Sequence, residues 1–414
     1  MSRKLSEELR ERGFINQFSG ESLDAILDEN VHTVYVGVDP TADSIHIGNL
    51  VVYMLMRHLT DAGHKPILLI GGGTGLIGDP KDTEERPLLD AKTAKKRTKK
   101  ISKQVSKLLG KKVDVVNNAD WLTKLNLIEF MRDIGKHFTV NSMIKREIVA
   151  KRLNNESPIS YTEFAYAPLQ AYDFWHLFKN HGCTLQIGGS DQWGNLMSGV
   201  DLIHKKEGAK AHALTVPLVV DTATGRKFGK SEGNAIWLDD EMTSPYTFYQ
   251  FWLNVDDADV VERLKIFTLL SLEEIAELEQ ELQNNPSART LQKALAYEVT
   301  KFVHGEDAAK SAKGVSEILF GSKDVSEISK EEIKILKAEA PTTEVATGTN
   351  IVDILISSEL ATSKGDARKL IEAGGVSINN NKVGALDYEL SSSDFKNRVA
   401  ILRKGKKYLR VLLN

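Results

Sequence analysis

Val34-Tyr35-Val36-Gly37-Val38-Asp39-Pro40-Thr41-Ala42-Asp43-Ser44-Ile45-His46-Ile47-Gly48-Asn49 is the stretch on which the reading of this chain turns. Residues 34–38 are apolar and mostly β-branched, which reads as a buried strand. Residues 49–61 carry apolar side chains at helical spacing, and Asp43 and Ser44 can cap that helix. A strand that passes through a polar loop into a helix opens an α/β unit.

Working outward, residues 67–70 read as a second strand that runs into glycines, and 113–116 as a third. Residues 185–187 and 213–220 are further strands, with helical stretches between. This alternation predicts a parallel, doubly wound sheet, whose ligands sit beyond the carboxyl ends of the strands. Asp39, residues 71–79 and residues 188–192 all lie just past such ends. After Gly233 the pattern changes. Ser244-Pro245 reads as an N-cap followed by a first-turn proline, and the chain is then almost wholly helical to about Leu319. The expected division is 1–225, 226–335, a linker at 336–349 and a small module at 350–414.

That last module holds 11 Lys/Arg against 7 Asp/Glu, a local +4 in a chain whose total is −3. A polyanion would therefore be met locally, not by global charge. At 414 residues and 41% hydrophobic content there is material for two or three domains with a proper core. Cys183 is the single cysteine, so no intrachain disulfide can form, which fits a reducing compartment. The charged start Met1-Ser2-Arg3-Lys4 is no secretory signal, and no apolar run is long enough for a bilayer. A cytoplasmic protein is expected.

His46 stands at the start of the helix after the first strand, where positive potential favours phosphate, and Gly48 permits close approach to the backbone. Lys227-Phe228-Gly229-Lys230-Ser231 is not a P-loop, since position 224 is threonine and no strand feeds it. A loop with two lysines can instead close on pyrophosphate. Residues 71–78 contain a literal G-x-G-x-x-G, but Asp79-Pro80 and a charged stretch follow where a dinucleotide site needs a helix. Tyr166, Gln170 and Asp173 fall at i, i+4 and i+7, one polar stripe on an aromatic helix, with Pro168 as a candidate kink. Gln186-Ile187-Gly188-Gly189-Ser190-Asp191-Gln192 is a strand and glycine turn suited to ribose or phosphate. Residues 92–112 hold ten Lys/Arg and no acid; this reads as a solvated helix face over a buried stripe of Ile101, Val105, Leu108 and Leu109. Lys145, Arg146, Lys151 and Arg152 form a second basic candidate.

Together, and over nearly the whole chain, these segments resemble bacterial-type tyrosyl-tRNA synthetases, a class I family. The His46 signature departs from the family at Asn49, where a second histidine is usual. The resemblance implies a Rossmann-like catalytic domain with a doubly wound parallel sheet, an α-helical region, and a C-terminal α+β S4-type RNA-binding domain. It implies that Tyr35 and Asp173 bind a tyrosine phenol, that Asp79, Tyr166 and Gln170 hold its ammonium group, and that Gln192 meets its carboxylate. ATP would lie against Asp39, Thr41, His46, Gly48, Gly188, Gly189 and Asp191, with Lys227, Lys230 and Ser231 closing over the phosphates. The basic end at 403–410 would touch tRNA phosphates.

The implied reaction joins L-tyrosine to ATP and passes it to tRNA(Tyr). Mg²⁺ would travel with the nucleotide, with no metal held by the protein and no tightly bound cofactor. A homodimer is implied. Two rivals remain: a tryptophanyl-tRNA synthetase, against which Tyr35, Asp173 and the S4-like tail argue, and a non-catalytic RNA-binding relative, against which the intact signatures argue.

Overall fold

Six strands form the first sheet: β1 (Gln17–Phe18), β2 (Thr33–Val38), β3 (Lys65–Ile70), β4 (Asp114–Asn117), β5 (Cys183–Gly189) and β6 (His212–Val216). Their order is β1-β6-β5-β2-β3-β4. All neighbours are parallel except β1, which runs antiparallel along β6. The computed structural model describes residues 3–80, 90–110, 113–222, 225, 228, 230–231, 234–284, 289–321, 323–405 and 408–414.

The chain winds outward from β2 to β4, then returns to build β5 and β6 on the other side of β2. The reversal leaves a crevice at the carboxyl ends of β2 and β5, the usual ligand position in open α/β sheets. Val34, Leu68, Ile70 and Leu185 are fully buried, as strands covered on both faces require. β6 stops at Val216, short of the expected Val220, because Pro217 has no N–H for the ladder.

The first helix after β2 starts at Ile47 and ends at Asp61. Its cap is His46, not Asp43 or Ser44. The His46 Nδ1 accepts the Gly48 N–H at 3.0 Å. Asp43 is drawn away by Arg97, at 2.9 Å, and Ser44 accepts from Gln104 Nε2 and from the Asp239 N–H. Arg97 belongs to the helix Ala91–Leu109, whose Ile101, Val105, Leu108 and Leu109 are buried as expected. Pro168 is no mid-helix kink. The helix Tyr161–Phe164 ends at Ala165 and a new one, Tyr166–His181, begins. Pro168 thus lies in a first turn, where backbone N–H groups have no intrahelical acceptor.

The chain divides into two compact units, residues 1–242 with 255–291, and residues 243–254 with 292–414. The second unit opens with the helix Pro245–Leu253, capped by Ser244 as expected. It also holds the helices Glu306–Phe320 and Lys330–Glu339, and a second sheet. That sheet contains β9 (Thr342–Glu344), β10 (Val376–Ile378), β11 (Asn381–Lys382), β12 (Val399–Lys404) and β13 (Tyr408–Leu413), ordered β11-β10-β12-β13-β9. A short hairpin of β7 (Lys230–Ser231) and β8 (Asn234–Ala235) lies in the first unit. The segment expected as a linker, 336–349, is corrected by β9, which pairs in parallel with residues 411–413. Val411 and Leu412 are buried, so the outer edge of β13 needs a covering strand. Thr-Thr-Glu supplies it with too few residues to show any period.

Candidate active site

One cavity of about 340 Å³ opens beyond β2 and β5. Tyr35, Asp39, Thr41, His46, Gly48, Asp79, Tyr166, Gln170, Asp173, Gly188, Gly189, Asp191 and Gln192 all line it. The strand positions Tyr35 and the loop at its end positions Asp39 and Thr41. The helix Tyr166–His181 brings Tyr166, Gln170 and Asp173, and the end of β5 brings the glycine turn.

At its floor Tyr35 is 1% exposed, with its ring 5.2 Å from that of Phe174. The Tyr35 hydroxyl has no hydrogen-bond partner among the described residues. Burial, and then the Asp173 charge, hold its phenol well above the usual tyrosine range. Asp173 is itself buried. Its Oδ2 accepts from Asn118 Nδ2 at 2.9 Å and its Oδ1 from Trp121 Nε1 at 2.7 Å. Burial pushes this carboxyl up to about 7, although both hydrogen bonds favour the charged form. A buried hydroxyl without a partner beside a buried acceptor leaves room for a ligand hydroxyl between them.

Above this floor, Asp39 accepts from the Tyr166 hydroxyl at 2.9 Å and from the Thr74 hydroxyl at 2.8 Å. A Cβ on Gly71 would collide with that Asp39 carboxylate and with Thr74. The glycines here admit close packing, and the residues after them form only the 3₁₀ turn Thr74–Leu76, so no dinucleotide helix opens. Asp79 accepts from Gln192 Nε2 at 2.9 Å and Asn195 Nδ2 at 3.2 Å. The Oε1 atoms of Gln170 and Gln186 are buried without partners among the described residues, and both side chains line the cavity. The wall therefore combines negative carboxylates with carbonyl oxygens that have no donor, a surface suited to an ammonium group.

His46 marks the opposite end. With Nδ1 accepting from Gly48, the proton of the neutral ring is on Nε2, which can donate to a phosphate. The segment after the β7–β8 hairpin pairs with this corner. Ile47 N–H donates to Ile236 O, and Leu238 N–H to Ile45 O, both at 2.9 Å. The Trp237 ring stands edge-on to His46, with centroids 5.9 Å apart. Phe228, between the two lysines, is buried and stacked on Phe267, with the Arg263 guanidinium over its face at 4.9 Å. Lys227 lies outside the described residues. Lys230 and Ser231 are described only as backbone of β7.

Sequence reasoning missed Asn118 and Trp121, and it gave Thr74, Gln186 and Asn195, which lie within segments it singled out, no role of their own. Asn118 follows the end of β4, a position that itself signals ligand contact; nothing local marked Trp121. Two basic candidates are narrowed: Lys145 and Lys151 are exposed, Lys406 and Lys407 lie outside the described residues, and the others are engaged as follows. Arg152 is buried in an ion pair with Glu163 at 2.7 Å, and Arg146 bonds Asn195 and Ser198. Arg403 donates to Ile318 O at 2.9 Å, Lys404 to Leu360 O at 2.7 Å, and Arg410 pairs with Glu359 at 3.7 Å. Arg146, Arg152, Arg403 and Lys404 are thus engaged by partners within their own unit, while the Arg410 pair with the exposed Glu359 is a weak surface contact.

Residues 28–321 match the family model for tRNA synthetases class I (W and Y), and residues 332–412 match the tyrosine–tRNA ligase SYY-like C-terminal domain. A tyrosine–tRNA ligase of Lactococcus lactis subsp. cremoris is 48% identical over 412 residues, covering 97% of each chain. One of Streptococcus mutans is 46% identical, covering 98% of this chain and 99% of the relative. A C-terminally truncated mitochondrial tyrosyl-tRNA synthetase of Aspergillus nidulans superposes with a TM-score of 0.68 at 32% identity, over 75% of this chain and 93% of that one. A tryptophanyl-tRNA synthetase of Encephalitozoon cuniculi shares the fold at 16% identity and a TM-score of 0.55, over 80% of this chain and 91% of that one.

Proposed function

This chain belongs to the class I tRNA synthetases, among the tyrosine–tRNA ligases, and from that premise we propose how its residues divide the work. The protein activates L-tyrosine with ATP to tyrosyl-adenylate and pyrophosphate, then transfers the tyrosyl group to the 3′ end of tRNA(Tyr).

In our reading the phenol hydroxyl of the substrate sits between Tyr35 and Asp173. The carrying observation is the buried, partnerless Tyr35 hydroxyl beside the clamped Asp173. Phenylalanine would leave both groups unpaired in a dry site, a penalty for which tyrosyl-tRNA synthetases are themselves the standard illustration. Asp79, Tyr166 and Gln170 hold the ammonium group, and Gln192 directs the carboxylate. That carboxylate attacks the α-phosphorus of ATP in line, so much of the rate comes from positioning. The Gly188-Gly189 turn, Asp191, Asp39 and Gly48 receive the ribose and adenine side, and Thr41 and His46 meet the phosphates. Lys227 and Lys230, with Ser231, close on the pyrophosphate as its charge develops. Mg²⁺ enters with the nucleotide through its phosphates. The basic C-terminal module, of the S4 type, grips tRNA. We place the protein in the cytoplasm with its RNA substrate; among the described residues no helix is long and apolar enough to cross a membrane.

We also propose a homodimer. Leu127 and Ile128 are 70% and 72% exposed on the helix Leu127–Asp133, with Met131, Val140 and Tyr161 exposed as well. Tyr161 Oη reaches Met131 Sδ at 3.9 Å, so two elements contribute to one apolar face. Replacing both Leu127 and Ile128 by Glu is expected to give monomers by sedimentation velocity; an unchanged dimer would place the interface elsewhere.

Amino-acid-dependent ATP–pyrophosphate exchange tests the reading of the pocket. Tyrosine alone should support it. Exchange with tryptophan would overturn the Tyr35–Asp173 assignment, and no exchange with any amino acid would overturn the adenylation reading.

A further inference from the structure

Trp121 holds Asp173 through a single directional hydrogen bond from Nε1–H to Oδ1. The indole stands on a four-residue helix, Ala119–Leu122, in which no residue is fully buried. Such a short element gives a side chain little support of its own. One face of the indole is instead covered by His176, with ring centroids 4.2 Å apart and planes inclined by 16°. Behind His176 stands Tyr172, at 6.3 Å, which in turn packs on Trp175 at 5.3 Å. His176 is three residues beyond Asp173 on one helix, so the two side chains lie on the same face. One helix thus carries both the carboxylate and the ring that braces its donor.

We propose that His176 is a positioning residue for amino-acid selection, stacking the Trp121 indole into the orientation from which its N–H reaches Asp173. This rests on the reading that Asp173 binds the substrate phenol. The two rings are stacked nearly parallel, an arrangement that fixes a ring plane, and hydrogen bonds weaken steeply once the donor angle departs from linearity. His176 is half-buried, and burial followed by the His181 charge lowers its pKa. The ring is therefore neutral at pH 7 and brings no cation toward Asp173. The other ionisable groups whose charge acts on or from Asp173 are Asp39, Tyr35, Tyr166 and Tyr172. Only the Trp121 bond is under His176 control. Asn118 is held separately, donating also to the Thr74 hydroxyl at 2.9 Å.

The test is pyrophosphate exchange with His176→Ala and His176→Phe beside the unaltered enzyme. His176→Ala should raise KM for tyrosine by about tenfold while kcat and KM for ATP stay unchanged. Its acid limb of kcat/KM for tyrosine should also move to higher pH. Asp173 would have lost a donor that favours its charged form, so its carboxyl would take up a proton sooner as pH falls. His176→Phe restores a planar stacking ring without a titratable group, and should return both the KM and the limb. Wild-type KM and limb in His176→Ala, or a folded His176→Phe that fails to restore them, would overturn the proposal. Asp173→Asn separates the two layers. Unchanged KM for tyrosine there removes the phenol reading itself and this proposal with it. A large rise there, with none at 176, removes the His176 role alone.

Discussion

At the scale of one residue, Tyr35 carries a cost to stability that the proposed phenol-binding role would account for. Its ring belongs to the core, tilted against that of Phe174, yet its hydroxyl is buried without a partner among the described residues. An unsatisfied buried polar group costs about 1–3 kcal/mol, a cost that substrate binding would remove. Tyr35→Phe should therefore leave the thermal midpoint of the ligand-free protein unchanged or raise its stability by about 1 kcal/mol. The same change should raise KM for tyrosine by about tenfold and narrow the preference over phenylalanine. A variant that melts lower and keeps its KM would mean the hydroxyl serves the fold. Asp173 stood out as part of a polar stripe at helical spacing, but Tyr35 could be singled out only through family resemblance, because a tyrosine in a buried strand has the same local pattern whether it packs or binds. The clamp on Asp173 could not be read at all: Asn118 and Trp121 are 55 and 52 residues away in sequence, and only the β4–helix turn brings them back.

Among elements, the informative pairing is between the His46 turn and the segment that follows the lysine-bearing hairpin. The turn at His46 and the segment at 236–238 share two backbone hydrogen bonds, so the chain after β8 returns to the start of the helix Ile47–Asp61. Gly48 sits where they meet. A Cβ there would approach the His46 ring to 2.9 Å and the Phe228 carbonyl oxygen to 3.3 Å. Gly48→Ala should push the imidazole off its Gly48 N–H bond and lower kcat for exchange by about tenfold or more. Tyrosine KM should hold, and stability should change little, since alanine contributes up to about 1 kcal/mol of helix propensity against the displaced ring. An unchanged kcat would separate His46 from the phosphate chemistry. Strands and helices of the first unit were legible because their apolar periods are long, and errors fell at their ends. His46 took the cap expected of Asp43 or Ser44 because Arg97 and Gln104, on a distant helix, claimed those two first.

For the whole molecule, charge carries the argument. Composition placed net positive charge in 350–414, but only three-dimensional packing sorts which cations are available. Arg403, Lys404 and Arg410 hold carbonyls or a carboxylate within their unit, despite lying in the most basic run of the tail. Arg368 and Lys369 are instead exposed on the helix Lys364–Glu372, whose buried face is Ala367 and Ile371. A hydrophobic period of this kind points the intervening cations outward. If that helix meets the tRNA backbone, reversing both charges removes two phosphate contacts and leaves the adenylation cavity untouched. Arg368→Glu with Lys369→Glu should therefore raise KM for tRNA by about tenfold or more and flatten the salt dependence of tRNA binding by about two counterions. Pyrophosphate exchange, which needs no tRNA, should proceed at the unaltered rate. Equal loss in both assays would mean the substitutions had damaged the fold, and unchanged tRNA affinity would move the RNA contact to another face of the module.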